Sequence, residues 1–243
     1  MLGGMTTTTS TAGPLPPRLL LVAHGTRSAT GRRELSRVLL ETRKRLAVDC
    51  RMAWVDIQTP GPDRVLADAV PTVVVPLFLA RGYHVVEDVA GACRRAPGPV
   101  SLTPHLGEEP EVVRALVQRL AEAGGTGAFG ADAVVLGAAG SSDADSVSET
   151  HALASTLSGV LGVPVTGAFA SASTPTVPEA VADLRAQGHG RIAVLTHLLA
   201  PGFFADRLAA AGADITTPPL GAHPELIDLV VRRYAENSTM NTD

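Results

Sequence analysis

The sequence predicts an α/β protein of two tandem lobes, each a mainly parallel sheet flanked by helices. Three observations carry this. Short apolar runs alternate with amphipathic stretches along the chain, the order that a parallel sheet with crossover helices requires. One run, TVVVPLF at residues 72–78, is β-branched and does not alternate with polar residues, as suits a strand buried on both faces. Motifs of the first half also recur in order in the second half, the mark of a tandem duplication.

Residues 1–17 are rich in Thr, Gly and Pro and lack the basic and apolar regions of a signal peptide, so they read as a disordered tail. Residues 18–23 (RLLLVA) are a strand ending in the turn His24-Gly25. Residues 32–46 have apolar positions near helical spacing, with charges opposite, and predict a surface helix. Residues 51–57 (RMAWVDI) predict a second strand, broken by Pro60-Gly61-Pro62. A short helix is expected over 63–70, the third strand over 72–78, a helix over 85–95, a fourth strand near 100–102 and an amphipathic helix over 110–123. In the second half, residues 133–136 resemble the first strand and 191–196 the third.

The repeat is clearest where TPHLGEEPEVVRALVQRL, from Thr103, matches TPPLGAHPELIDLVVRRY, from Thr217. LARGYH from Leu79 matches LAPGFF from Leu199, and Thr59-Pro60 matches Thr174-Pro175. The Gly-rich stretch at 123–132 is the natural linker. It sets a boundary near Gly127, with lobes at 18–126 and 127–236 and a short tail at 237–243. The halves differ where it matters: AHGTR at 23–27 faces AAGSS at 138–142, so Ala139 stands for His24 and Phe204 for His84. Gly25, Gly82, Gly140 and Gly202 survive in both copies. One half keeps chemistry and the other keeps shape.

Composition narrows the function. The formal net charge is −4 and aromatic residues make up 3% of the chain, which argues against phosphate-backbone binding and base stacking. Cys50 and Cys93 form no CxxC motif, so neither a disulfide scaffold nor a thiolate zinc site is expected, and a reducing cytoplasmic setting fits. No apolar run is long enough to span a bilayer. Neither a phosphate-binding GxxxxGK[ST] loop nor a GxSxG elbow occurs.

His24 follows a buried strand directly, and His84 follows the third strand by a short loop. In an open α/β sheet ligands bind at the carboxyl ends of strands, so both imidazoles are placed to share one cleft. Imidazole suits divalent iron, cobalt and nickel and serves as a base near neutral pH. Asp56, at the end of the second strand, is a third ligand or proton acceptor on one reading and a loop or capping aspartate on the other. Arg27 and Arg81 lie three residues from the two histidines; on one reading they pair with substrate carboxylates and on the other they are exposed, solvated arginines. Thr26 and Tyr83 are candidate hydrogen-bonding partners of a ligand, with packing at the cleft rim the other reading of Tyr83. His105, His151, His189, His197 and His223 are read as structural, His197 being the best placed of them to line a pocket. Glu87 and Asp88 read as the polar start of a helix.

The segments LLLVAHGTR, WVDIQTP, VVVPLFLARGYHVVEDV and TPHLGEEPEVV resemble the CbiX/SirB group of class II chelatases, over about residues 18–234. The resemblance implies two chelatase-like lobes around a cleft, no organic cofactor, and metal-binding histidines at His24 and His84. A family glutamate aligns with Asp56, which is one methylene shorter. It further implies a cytoplasmic lyase that inserts Fe2+ or Co2+, or Ni2+, into sirohydrochlorin without ATP, in siroheme or cobalamin synthesis. His24, His84 and Asp56 would then be catalytic, and Arg27, Arg81, Thr26 and Tyr83 substrate-binding. The metal is a substrate; no nucleic acid or membrane partner is expected, and a monomer or weak homo-oligomer suffices. The rival reading is a non-enzymatic tetrapyrrole or metal carrier using the same cleft, and a third is a different small-molecule enzyme on this scaffold.

Overall fold

The computed structural model describes residues 15–82, 84–107, 109–124 and 130–238. These form two four-stranded, wholly parallel sheets. The first has the order β2-β1-β3-β4, from β1 (Arg18–Ala23), β2 (Cys50–Trp54), β3 (Thr72–Pro76) and β4 (Val100–Leu102). The second repeats it as β6-β5-β7-β8, from β5 (Ala133–Ala138), β6 (Val165–Phe169), β7 (Ile192–His197) and β8 (Ile215–Thr216). All six residues of β1 are buried, and all five of β3, as the unalternating runs predict.

Eight helices lie among the described residues: α1 (Ala29–Arg45), α2 (Pro62–Leu66), α3 (Ala90–Arg95), α4 (Pro110–Gly124), α5 (Ala144–Leu161), α6 (Val177–Ala186), α7 (Phe203–Ala209) and α8 (Pro224–Ser238). A π-helical turn, His84–Val89, leads into α3. Helix α1 begins three residues before the expected start because Ser28 caps it, its hydroxyl accepting from the Gly31 N–H. Strand β2 ends at Trp54, short of Ile57, because residues 55–58 turn away in a tight loop. Helix α8 runs through residues 237–238, which the sequence assigns to a tail. The linker boundary near Gly127 and residues 1–14 of the expected N-terminal tail lie outside the described residues.

The final helix of each repeat docks on the other repeat. Helix α4 packs on β7, β8 and α5, while α8 packs on β3 and α1. Helices α1, α8, α4 and α5 thus form one layer between the sheets, and α2 with α3, and α6 with α7, cover the outer faces. The apolar core of this inner layer is continuous across both repeats. It joins Leu19, Leu21, Val73 and Val75 to Val134, Leu136, Ala193 and Leu195 through Leu116, Leu120, Leu226 and Val230. Each of the large aliphatic side chains among these contributes roughly 1.5–3 kcal/mol by leaving water. Polar contacts pin the exchange. The Tyr234 hydroxyl donates to the Pro17 carbonyl at 2.7 Å. Arg232 of α8 pairs with Glu109 at 2.7 Å and Glu111 at 3.1 Å, and Arg114 of α4 pairs with Glu225 at 2.8 Å.

His197 closes β7 and is buried, and its Nε2 has no hydrogen-bond partner. Burial pushes its pKa down to about 4. Its counterpart in the first repeat is Leu77, also buried.

Two outcomes follow from this packing. Because the inner core spans both repeats, chemical unfolding of the full chain is expected to be a single transition by circular dichroism and by tryptophan fluorescence. A chain ending at Gly124 is expected to remain unfolded; an independently cooperative first lobe would contradict the exchange of helices. The second outcome concerns pH. Between about 6.5 and about 4 the unfolded chain binds a proton at position 197 that the folded chain refuses. Stability therefore falls as pH drops through this window, by up to about 1.4 kcal/mol per unit. Urea titrations at pH 7.5, 5.5 and 4.5 should show a shallower loss in His197→Leu than in the parent; equal losses would refute the contribution of His197.

Candidate functional site at the carboxyl edge of the first sheet

Strands β1, β2 and β3 end nearly in register, with Ala23 opposite Trp54 and Val22 opposite Pro76. In the order β2-β1-β3-β4 the chain steps from β1 to β2 on one side and then crosses back over β1 to β3 and β4 on the other, which puts the topological switch point between the carboxyl ends of β1 and β3, the place where open α/β sheets bind ligands. The chain after β1 is held there by hydrogen bonds. The Val55 N–H donates to the Ala23 carbonyl and the Asp56 N–H to the His24 carbonyl, both at 3.0 Å, and the Leu77 N–H to the Val22 carbonyl at 2.8 Å. His24 is therefore fixed by its backbone between the ends of β2 and β3, and the residue is exposed.

The turn that presents His24 depends on close backbone approach. Gly25 adopts φ +100°, and a Cβ there would lie 2.2 Å from the Asp56 carbonyl oxygen. Only glycine meets both demands. The Gln58 side chain then clamps Thr26 on both backbone groups: its Oε1 accepts from the Thr26 N–H at 2.9 Å and its Nε2 donates to the Thr26 carbonyl at 2.5 Å. Gln58 itself is positioned by a γ-turn in which its N–H donates to the Asp56 carbonyl at 2.7 Å, with Ile57 at φ +67°. A β-branched residue at positive φ is strained and uncommon. Asp56 is exposed, and its carboxylate accepts from the Ile57 N–H at 2.8 Å, so it serves the turn while facing solvent beside His24.

The second repeat keeps this scaffold without the imidazole. Gly140 adopts φ +93° and Ala172 φ +59°, and the Ser173 hydroxyl takes the part of Gln58, donating to the Ser141 carbonyl at 2.6 Å and accepting from its N–H at 3.2 Å. Ala139 stands for His24 and Ser171 for Asp56. The peptide bonds Thr59-Pro60 and Thr174-Pro175 are both cis. The shared Thr-Pro pair is plain in the sequence; the reciprocal clamp by the residue before it is not, because glutamine and serine reach the same two backbone groups with different atoms.

The remaining candidates are placed differently from one another. The backbone of His84 opens the π-helical turn, a geometry that recurs at functional sites. Its side chain, and all of Tyr83, lie outside the described residues. Thr26 Oγ1 accepts from the Ser28 N–H at 3.1 Å, so this hydroxyl already shapes the start of α1. Arg27 is exposed, and its carbonyl accepts from Arg32 at 2.9 Å. Arg81 faces the second repeat: its N–H donates to Glu149 at 2.7 Å and its guanidinium lies 3.3 Å from Asp145, both on α5. His105 joins the same carboxylate, with Nε2 3.1 Å from Glu149. Among the described residues no group of three or more His, Cys, Asp or Glu side chains is gathered as a metal site.

The two repeats also reach across to each other by equivalent loops. In one direction, residues 79–82 meet α5 through Arg81, whose N–H donates to Glu149. In the other, the Pro201-Gly202 turn meets the start of α1: a Cβ on Gly31 would lie 2.6 Å from the Pro201 carbonyl, and one on Gly202 3.4 Å from Ser28. Glu34 on α1 accepts from the Ala222 N–H at 2.9 Å, much as Glu149 accepts from Arg81 in the other repeat.

The duplicated turn allows a paired test. Gly25→Ala and Gly140→Ala should each destabilise the fold by roughly 1–3 kcal/mol, since both force a Cβ onto a carbonyl at positive φ. Only Gly25→Ala should also weaken binding of Co2+ to the protein, read by absorbance titration. Equal metal affinities in the two variants would show that the turn at Gly25 does not position a metal-binding group.

Comparison with known proteins agrees with this architecture. The CbiX family model matches residues 18–123 and again 133–237. No curated protein matches the chain. Among solved structures, the sirohydrochlorin chelatase SirB of Bacillus subtilis subspecies spizizenii, in complex with cobalt, has 21% identity and a TM-score of 0.73, covering 93% of this chain and 97% of that one. SirB from Bacillus subtilis with Fe3+ has 23% identity and a TM-score of 0.74, covering 92% and 96%. CbiX, described as the terminal enzyme for biosynthesis of siroheme in denitrifying bacteria, has 19% identity and a TM-score of 0.63, covering 90% and 98%. These structures share the two-lobe fold, and with both halves matched by the same model, the chain belongs to the CbiX family.

Proposed function

We propose that this protein inserts a divalent metal, Fe2+ or Co2+, into sirohydrochlorin without ATP, using a site on the first lobe built around His24 and His84. The observation that carries the reading is the strand-end turn at His24. An exposed histidine is held by Gly25, Gln58 and the Asp56 backbone, and the same turn in the second repeat holds alanine. The solved structure described as the sirohydrochlorin chelatase SirB in complex with cobalt supports the substrate class, and SirB with Fe3+ supports iron as a metal the fold accepts.

The reaction exchanges two pyrrole N–H protons for one metal ion. Imidazoles suit both halves of that exchange, since they ligate these metals and accept protons near neutral pH. A site with two or three protein ligands leaves the ion partly hydrated and exchangeable, whereas a closed four-ligand site would retain it. His24 and His84 hold the ion and take up pyrrole protons. Asp56, exposed beside His24, favours the dication electrostatically and is a nearby proton acceptor. Arg27 is the cationic group at the site for the acetate and propionate arms. Arg81 would take that role only by exchanging Asp145 for a substrate carboxylate. The reaction belongs in a reducing cytoplasm, a setting supported by free thiols at Cys50 and Cys93, and one chain supplies both cleft walls.

Anaerobic chelation followed by tetrapyrrole absorbance tests the assignment. His24→Ala and His84→Ala should each lower kcat/KM by about 100-fold or more, the range of a lost base or ligand. Asp56→Asn should lower it by about tenfold, as expected of a group that assists rather than ligates. Unchanged turnover in both histidine variants would refute their roles. Product binding with no acceleration over the protein-free reaction would favour a carrier.

A further inference from the structure

We propose that Phe203, Phe204 and Arg207, at the start of α7 in the second lobe, form the platform that receives the face of the tetrapyrrole and one of its carboxylates. The inference rests on the chelatase reading above and assigns to the second lobe a binding role rather than a shaping one.

Burying aromatic rings is among the strongest apolar gains a fold can make, yet this chain leaves two adjacent phenylalanines in water. Phe203 is 70% exposed and Phe204 39%. Phe169, by contrast, is 1% exposed. The two exposed rings contact each other edge-to-face with centroids 5.4 Å apart, and the Arg207 guanidinium lies 5.8 Å from the Phe203 centroid, a cation–π arrangement. Arg207 has no ion pair among the described residues, unlike Arg81, Arg114, Arg185 and Arg232. An exposed aromatic pair with an unneutralised guanidinium complements a flat conjugated macrocycle edged with carboxylates.

Position ties this patch to the metal-binding edge. Phe203 follows Gly202, whose Cα is close enough to the other lobe that an added Cβ would meet Ser28 at 3.4 Å and Thr26 Oγ1 at 3.6 Å. Thr26 is two residues from His24 and is locked by Gln58. The duplication adds a second argument. Phe204 occupies the place of His84, so the lobe that lost its imidazoles carries a ring at the equivalent position. Metal delivery from one wall and macrocycle support from the other would let the ion approach the ring nitrogens across its face.

Metal-free sirohydrochlorin is titrated anaerobically into the full-length protein, followed by tetrapyrrole absorbance and by quenching of Trp54, the single tryptophan. Co2+ is titrated separately without tetrapyrrole. Phe203→Ala/Phe204→Ala should weaken sirohydrochlorin binding at least about tenfold and raise KM with Co2+ affinity unchanged. Arg207→Gln should weaken it less and reduce its salt dependence. His24→Ala should show the reverse pattern, with Co2+ binding weakened and tetrapyrrole binding kept. Wild-type-like binding by the double phenylalanine variant, in a protein that still chelates, overturns this inference and leaves the proposed reaction standing. Parallel loss of Co2+ and tetrapyrrole affinity overturns it too, as general damage to the cleft. If the parent protein binds no tetrapyrrole, both readings fall.

Discussion

The inner face of each sheet is buried in part by a helix that belongs, in sequence, to the other repeat, and this exchange constrains the rest of the molecule. Helix α8 covers β3 and α4 covers β7, so the apolar core runs unbroken from Leu19 to Leu195. The carboxyl edges of the two sheets are then held at a defined separation by packed side chains rather than by a linker. Close-packed interiors resist small displacements, so the spacing of these two edges inherits the stiffness of the core beneath them. The flanking ion pairs, such as Arg232 with Glu109 and Glu111, orient the crossing helices more than they stabilise them, since partly exposed pairs contribute little net energy.

On this frame the duplicated turns separate shape from chemistry. Gly25 and Gly140 occupy the same left-handed conformation, Ile57 and Ala172 the same strained one, and Gln58 and Ser173 clamp the same backbone groups. Strain of this kind persists only where the surroundings enforce it. Its survival in a repeat that has lost His24 and Asp56 shows that the turn is needed to end the strand and launch the next helix, whatever stands upon it. A histidine placed there is positioned by a scaffold that forms equally around alanine in the second repeat.

Much of this was legible in the sequence because burial on both faces of a parallel strand leaves unmistakable runs, as at 18–23 and 72–78. The repeat was legible because glycines at positive φ and Thr-Pro pairs tolerate few replacements. Three features were not. The exchange of α4 and α8 has no sequence signal, since the apolar face of α4 reads the same whether it meets β3 or β7. The end of β2 at Trp54 was hidden because Val55 and Ile57 are good strand formers that the γ-turn overrides. Arg81 read as a cleft cation by its distance from His84, and its partners Asp145 and Glu149 lie more than sixty residues away in another helix.

Those same cross-lobe contacts give the second repeat a structural part in the first. Glu149 on α5 receives the backbone of the loop that leads to His84, and Glu34 on α1 receives the turn that leads to α8. The first helix of each repeat thus braces the other: α5 holds the loop after β3 through Glu149, and α1 holds the loop after β8 through Glu34. The second lobe therefore positions the approach to His84 through Glu149, even though Ala139 and Phe204 stand where the first lobe has its two histidines. The second copy's structural part is thus carried by Glu149 on α5 and by the backbone of its turns, and neither Ala139 nor Phe204 enters these contacts.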